Sequence, residues 1–163
     1  MVEDRVLYEG KPSKRLFWSW AIKATIIVIV CILFLVPILM AENNSKMSME
    51  AVYFNLFFCL LIYCLILIFL KIQLNTYKYK ITDKGVHFIG GFLTKREKFV
   101  PFYKITNVDI LQTLVDQMFG VKRLGFQTAG QGASNFPEIT FQGLENADKP
   151  KEITLKMIEK TSH

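Results

Sequence analysis

The sequence predicts a membrane-embedded α-helical hairpin followed by a mainly β domain that ends in a helix. Two observations support this fold class: long uncharged apolar runs fill the N-terminal half, and apolar and polar residues alternate in the C-terminal half. The chain has 163 residues, of which 52% are hydrophobic. That length suits one small domain plus a membrane anchor, and the uneven patterning excludes an ordinary soluble globule.

The two predicted spans are residues 24–41 and 51–70, and neither contains a charged residue. Crossing the hydrocarbon core takes about 20 apolar residues, and a lone span has to be helical to pair its backbone groups in lipid. The polar segment between them is short, so the two helices are expected to be antiparallel neighbours. A cleavable signal peptide is the alternative for the first run, but its length and Leu39, where a small residue is required, argue against it.

The basic residues predict the orientation of this hairpin, because Lys and Arg are retained on the cytoplasmic side. Lys46 is the only basic residue in the loop 42–50, which is therefore expected to be extracytoplasmic. Residues 1–23 are expected to be a cytoplasmic juxtamembrane segment, and residues 71–163 a cytoplasmic domain of a cell-membrane protein. The flanking basic residues are Arg5, Lys11, Lys14, Arg15, Lys23, Lys71, Lys78, Lys80 and Lys84.

Polar side chains within the spans are few. Asn55 is the strongest hydrogen-bonding side chain in the second span, and we expect it to contact another helix in the membrane. Lys23 is expected to extend its ammonium group toward the headgroups. Cysteines occur only inside the apolar runs, without metal-ligand spacing, and indicate neither a disulfide framework nor a metal site.

The C-terminal half predicts several strands, a short helix and a closing helix. Residues 77–82 alternate as a half-buried strand does. Apolar residues in 111–119 fall at helical spacing, and from residue 149 onward the pattern is that of an amphipathic helix with Pro in its first turn. Phe126 and Phe141 have polar neighbours on their strands, so both are expected to point into the core of a compact β-barrel or sandwich.

Several short motifs occur in a fixed order along the chain. They are YEGKP at 8–12, YKYKITDKG at 77–85, VP at 100–101, KITNV at 104–108, QT at 112–113, MFG at 118–120 and GLEN at 143–146. Together with their position around two spans, they resemble the bacterial pleckstrin-homology-like, membrane-flanked domain family. The resemblance implies a PH-like fold, a strongly bent antiparallel sheet or barrel with one C-terminal helix. It does not imply phosphoinositide binding.

The sequence predicts that the protein is not an enzyme and that it holds neither a cofactor nor a metal ion. His87 is the only histidine before the final residue, and no HExxH, GxSxG or P-loop motif occurs. Asp109 and Asp116 lie seven residues apart without a partner base, and we interpret them as solvated turn residues.

Clustered basic residues are the candidate contacts to anionic lipid headgroups, where each contributes about 1 kcal/mol near the surface. For Lys95, Arg96, Lys98 and Lys104, the alternative is an exposed strand that carries solubilising charge. Nucleic acid is a poor fit, since the basic residues are interleaved with acidic ones. The candidates are Lys11, Lys14, Arg15, Lys95, Arg96, Lys98 and Lys104.

These observations favour a non-enzymatic, membrane-anchored PH-like binding or scaffold module at the inner leaflet. Its expected partners are the lipid bilayer, anionic headgroups, and either a membrane protein or further copies of itself. The alternative function is an immunity or envelope-stress protein that protects the membrane against membrane-active peptides such as bacteriocins. The resemblance implies this second role for some members of the family.

Overall fold

The computed structural model describes residues 5–42, 49–128 and 137–161, with side chains described outside 34–42 and 49–52. Two long helices lie between the first and second strands of the chain. In order, the elements are β1 (Val6–Gly10), α1 (Arg15–Glu42), α2 (Met49–Thr76), β2 (Lys78–Thr82), β3 (Gly85–Gly90), β4 (Arg96–Pro101), a 3-10 turn (Phe102–Lys104), β5 (Ile105–Leu111), α3 (Leu114–Met118), β6 (Lys122–Thr128), β7 (Ile139–Leu144) and α4 (Asp148–Thr161).

Each of the two long helices has 28 residues, so both extend beyond the apolar runs. They are connected side by side where the hydroxyl oxygens of Thr25 and Tyr63 lie 2.7 Å apart. The stretches Arg15–Leu33 and Tyr53–Thr76 are long and apolar enough to cross a membrane, judged by length and composition.

The strands form two antiparallel sheets, as the resemblance implied. One sheet has the order β1-β2-β3-β4 and the other the order β5-β6-β7. The C-terminal helix α4 closes the core, against which Ile153, Met157 and Ile158 pack. The predicted closing amphipathic helix is therefore confirmed.

Strand β1 was not predicted from the sequence. It precedes α1 in the chain but pairs with β2, with Gly10 opposite Tyr79 and Val6 opposite Thr82. The helical pair is thus inserted between two neighbouring strands of one sheet. A five-residue strand has too little alternation to stand out, and this one depends on a partner almost 70 residues further along the chain.

Aromatic side chains fill the space between the sheets. Phe126 and Phe141 are both 0% exposed, which confirms their predicted inward orientation. Tyr79 connects the sheets: its hydroxyl donates to the Gln142 carbonyl (2.8 Å) and accepts from the Gln142 N–H (3.0 Å). Burial raises the pKa of Tyr79 far above its usual value, so this hydroxyl remains a donor.

The short helix is smaller than its apolar spacing predicted. It spans Leu114–Met118, while Leu111 is the last residue of β5. Leu114 and Met118 do not join the core, because they are 79% and 78% exposed. Phe119, just after the helix, packs against a buried cluster of Leu16, Leu74 and Val121, so the apolar spacing of this segment covers one buried and one exposed side.

Candidate functional site

The site of interest is the junction where the bases of the two helices meet the sheet domain. An apolar cluster forms its centre, with Leu16 of α1, Leu74 of α2 and Val121 before β6 all buried. Gly143 in β7 allows the close approach of α1, because a Cβ there would lie 2.7 Å from Leu16 Cδ2. Its φ of +71° is also one that side-chain-bearing residues rarely adopt.

Asp116 lies beside this cluster, and its side chain is 0% exposed. Carboxylate oxygen Oδ1 accepts from two side chains of α1, the Ser19 hydroxyl at 2.6 Å and the Lys23 ammonium at 3.0 Å. Ser19 and Lys23 are four residues apart, so they lie on the same face of the helix. The buried carboxylate therefore connects α3 directly to α1.

The other carboxylate oxygen is bound from within the sheet domain. Oδ2 accepts from the Thr113 hydroxyl at 2.7 Å and pairs with the Arg123 guanidinium at 2.8 Å. Thr113 and Asp116 also form a capping box that satisfies backbone N–H groups at the start of α3. Donors from α1, from the α3 cap and from β6 thus meet at one anion.

The ionisation of Asp116 follows from these contacts. Burial by itself would raise the pKa of this carboxyl. Hydrogen bonds from Ser19, Thr113 and Lys23, together with the charge of Arg123, outweigh burial and hold the pKa well below its usual value. Asp116 is therefore an anion throughout the physiological range.

The interpretation of Asp116 as a solvated turn residue was wrong. Its charge is compensated by Lys23, 93 positions earlier, as well as by Arg123, and a partner as distant as Lys23 leaves no mark in the local sequence. Two weak signals were present: the Thr113–Asp116 spacing of a capping box, and Ser19 with Lys23 on one helix face. Lys23 was expected to reach headgroups, but it is bound to Asp116 instead.

A cleft of about 350 Å³ opens between the bases of α1 and α2. Its walls combine apolar surface with two ammonium groups, Lys14 and Lys71, both exposed and neither ion-paired to another described residue. Trp18 at its rim is 59% exposed. The lining residues are Pro12, Ser13, Lys14, Phe17, Trp18, Lys71, Leu74 and Asn75, a set without a carboxylate that suits an anionic amphiphile.

The other N-terminal candidates are exposed near this cleft. Arg15 lies 3.9 Å from Glu145, which partly neutralises it. Lys11 lines a separate cavity that also contains Glu145 and Lys149. Lys14 is thus the candidate from this segment that shares a cleft with a second cation and no carboxylate.

The candidates on and after β4 are spread along the strand. Arg96 pairs with Gly90, near the end of α2, whereas Pro101 pairs with Gly85 at the opposite end of the hairpin. Five residues of strand separate these positions by about 16 Å, twice the screening length in physiological salt. Lys104 lies beyond Pro101, in the turn that contacts α4.

Lys95 and Arg96 are therefore the β4 candidates that lie near the helices. Lys98 is exposed, but its ammonium donates to the Glu138 carbonyl at 2.9 Å. The structure does not bring Lys95, Arg96, Lys98 and Lys104 onto one compact face.

Asn55 is exposed on α2. Its side-chain oxygen accepts a weak bond from the Cys59 thiol of the same helix, at 3.7 Å. Within the described residues, the polar contact between the two helices is made by Thr25 and Tyr63 instead.

Comparison with known proteins places the chain by family. The family model described as "Bacterial PH domain" matches residues 20–158, which includes α2, all but the first turn of α1, and most of the sheet domain. No curated protein and no solved structure matches the chain. Among the described residues, no group of three or more His, Cys, Asp or Glu side chains could hold a metal ion.

Proposed function

This chain belongs to the bacterial PH domain family, and from that premise we propose that it is a non-enzymatic binding module anchored at the inner leaflet. Its two long helices cross the cell membrane, and both termini lie in the cytoplasm. The sheet domain presents a binding surface at a fixed angle to the bilayer. Its partner is a membrane protein or another copy of this chain.

Exposure of the helices supports the membrane crossing. In the apolar window of α2, 0% of the residues are buried, and Phe54 on this helix is 72% exposed. On α1, Leu33 is 66% exposed and Ile27 is 63% exposed. The core helix of a soluble protein would bury such side chains, whereas lipid solvates them.

The close attachment of the sheet domain to the helical pair is the observation that carries the proposal. Strand β1 leads into α1, strand β2 follows α2, and the two strands pair with each other. Asp116 and Leu16 add contacts between α1 and the sheet domain. A domain held only by a linker would need none of these contacts. Such anchoring limits the domain to one orientation, which suits recognition of a partner in the same membrane.

The immunity alternative has no support from the family match or from the described residues. The scaffold proposal is tested by photocrosslinking amino acids at exposed positions of α4, such as Glu152, in intact cells. We expect discrete adducts whose mass distinguishes a homo-oligomer from another membrane protein. If positions over the whole exposed surface of the domain give no adduct, the binding role is refuted.

Topology is tested in full-length protein with Cys31, Cys59 and Cys64 replaced by Ala. Ser45 and Ser162 lie outside the described residues and serve as labelling sites. We expect Ser45→Cys to react with an impermeant thiol reagent added to intact cells, and Ser162→Cys to react after lysis only. Labelling of Ser162→Cys in intact cells would overturn the orientation.

A further inference from the structure

Two apolar protrusions extend from the sheet domain. One is the turn between β3 and β4, where Phe92 is 51% exposed and Leu93 is 81% exposed. The other is α3, where Leu114 and Met118 are exposed to a similar degree and lie four residues apart on one face. Exposed apolar side chains that cluster in this way mark a contact surface.

The β3–β4 turn is held against α2. The Gly91 N–H donates to the Thr76 hydroxyl at 3.2 Å. Phe92 and Leu93 line a cavity of about 350 Å³ together with Phe69 of α2. Gly91 has a φ of +104°, and a Cβ there would lie 2.0 Å from the Thr94 carbonyl oxygen, so this glycine keeps the turn tight.

Helix α3 is held against α1. Asp116 lies between Leu114 and Met118 in the chain, and its carboxylate is bound by Ser19 and Lys23. The buried ion pair thus fixes the position of α3 along the axis of α1, and with it the position of the exposed side chains of α3.

The two protrusions overlap in height along the helical pair. Thr25 and Tyr63 are level, because their hydroxyl oxygens are 2.7 Å apart. Six residues toward the domain, about 9 Å along each helix, are Ser19 on α1 and Phe69 on α2. Ser19 contacts α3 and Phe69 lines the cavity of the β3–β4 turn, so each protrusion has a contact at this level. The backbone of the turn is held at Thr76, about 10 Å nearer the domain along α2.

Nearby residues indicate the environment that surrounds the two protrusions. The apolar surface of the helices reaches their level from the membrane side, and the exposed Trp18 lies there on α1. Exposed Lys95 and Arg96 follow the apolar turn. Apolar tips beside tryptophan and cations are typical of the bilayer interface.

We infer that the β3–β4 turn and α3 insert into the headgroup and upper acyl layer of the inner leaflet, one on each side of the helical pair. The occupant of both apolar protrusions is the lipid bilayer. This inference rests on the proposed membrane crossing. Contact on two sides stops the domain and its helices from tilting together in the bilayer, which the attachment of the domain to the helices does not do.

The experiment uses the full-length protein without native cysteines, in vesicles that contain phosphatidylglycerol. Single cysteines at Leu93, Met118, Phe57 and Asp83 carry an environment-sensitive fluorophore, and lipids with quenchers at known acyl depths report its position. Phe57 is the control inside the proposed span. Asp83 lies in the β2–β3 turn, at the opposite end of the strands from Leu93.

We expect deep quenchers to act at Phe57, shallow quenchers to act at Leu93 and Met118, and none to act at Asp83. If Leu93 and Met118 behave like Asp83 while Phe57 is quenched, the inference is refuted and the membrane anchor stands. An unquenched Phe57 would refute the anchor itself.

A second set of variants guards against effects of the fluorophore. Each variant places a charge on one protrusion and measures quenching at the other. The two variants are Leu93→Asp with the label at Met118, and Met118→Asp with the label at Leu93. Leu155→Asp on α4 is the matched control, since Leu155 is 41% exposed. We expect a loss of quenching in the first two variants and none in the control. Equal quenching in all three would contradict joint insertion.

Discussion

Asp116 shows how a single residue determines the connection between two parts of the molecule. An ionised carboxylate without partners would not be stable in a site that is 0% exposed. Here two cations and two hydroxyls surround it, from α1, from the α3 cap and from β6. The stability of the junction therefore depends on the negative charge, because without it Lys23 and Arg123 would face each other uncompensated.

Asp116→Asn tests this dependence. Breaking a buried ion pair by removing one partner costs about 3–5 kcal/mol, so we expect the free energy of unfolding in detergent to fall by that order. Asp109→Asn is the matched control, since Asp109 is only half-buried and bonded to Asn107 and Gln127. Equal losses of unfolding free energy in both variants would show that the ion pair does not account for the loss in Asp116→Asn.

Acid should weaken the same junction. The pKa of Asp116 is lower in the folded protein than in the unfolded chain, where a free Asp titrates near pH 4. Its stabilisation is therefore complete above about pH 5 and lost progressively as the pH falls below 4 toward the folded value. Between pH 7 and pH 3, the difference in the free energy of unfolding between wild type and Asp116→Asn should be constant above about pH 5 and shrink as the pH falls below 4. A difference independent of pH would contradict this assignment.

At the scale of elements, β1 determines where the sheet domain begins. It pairs with β2 along Val6–Gly10, so a fragment that starts at Thr76 lacks one strand of a four-stranded sheet. The exposed edge of β2 would then be free to pair with other chains. The domain is therefore not equivalent to the segment that follows the helices.

We expect a fragment of residues 76–163 to aggregate or unfold at low denaturant. Residues 5–11 joined ahead of residue 77 by a short Gly-rich turn should restore a cooperative transition, because Gly10 already lies opposite Tyr79. Chemical denaturation followed by circular dichroism measures both proteins. If the shorter fragment is as stable as the one with β1, the strand is dispensable.

At the scale of the whole molecule, charge and apolar surface meet where the domain contacts the helices. Lys14, directly before α1, and Lys71 of α2 share the cleft beside Trp18. Arg96 lines a separate cavity with Phe69 and Gln73 of α2, and Lys95 precedes it in the chain. Together they place positive charge at the level where the proposed membrane crossing would meet the inner leaflet.

Reversing the charges of the cleft tests for anionic lipid there. In nanodiscs of mixed lipids, we expect Lys14→Glu with Lys71→Glu to lose phosphatidylglycerol that co-purifies with the wild type. Each cation contributes about 1 kcal/mol near the surface, so the combined loss of enrichment is about tenfold or more. Lys151→Glu with Lys156→Glu on α4 is the control. Similar losses in both pairs would indicate diffuse attraction by net charge.

The sequence by itself determined the two apolar helices, the alternating strands, the inward Phe126 and Phe141, and the closing helix. Each of these follows from the order of residues within one element, because burial in a core or in lipid acts on local periodicity. The motifs also identified the family.

Only the tertiary structure decided that β1 belongs to the sheet, that Asp116 is a buried anion, and that Lys104 lies far from Arg96. Each depends on a partner or a distance that the local pattern does not contain. Ser19 and Asp116 are 97 residues apart, and whether a charge is solvated or compensated is decided by what the fold places next to it.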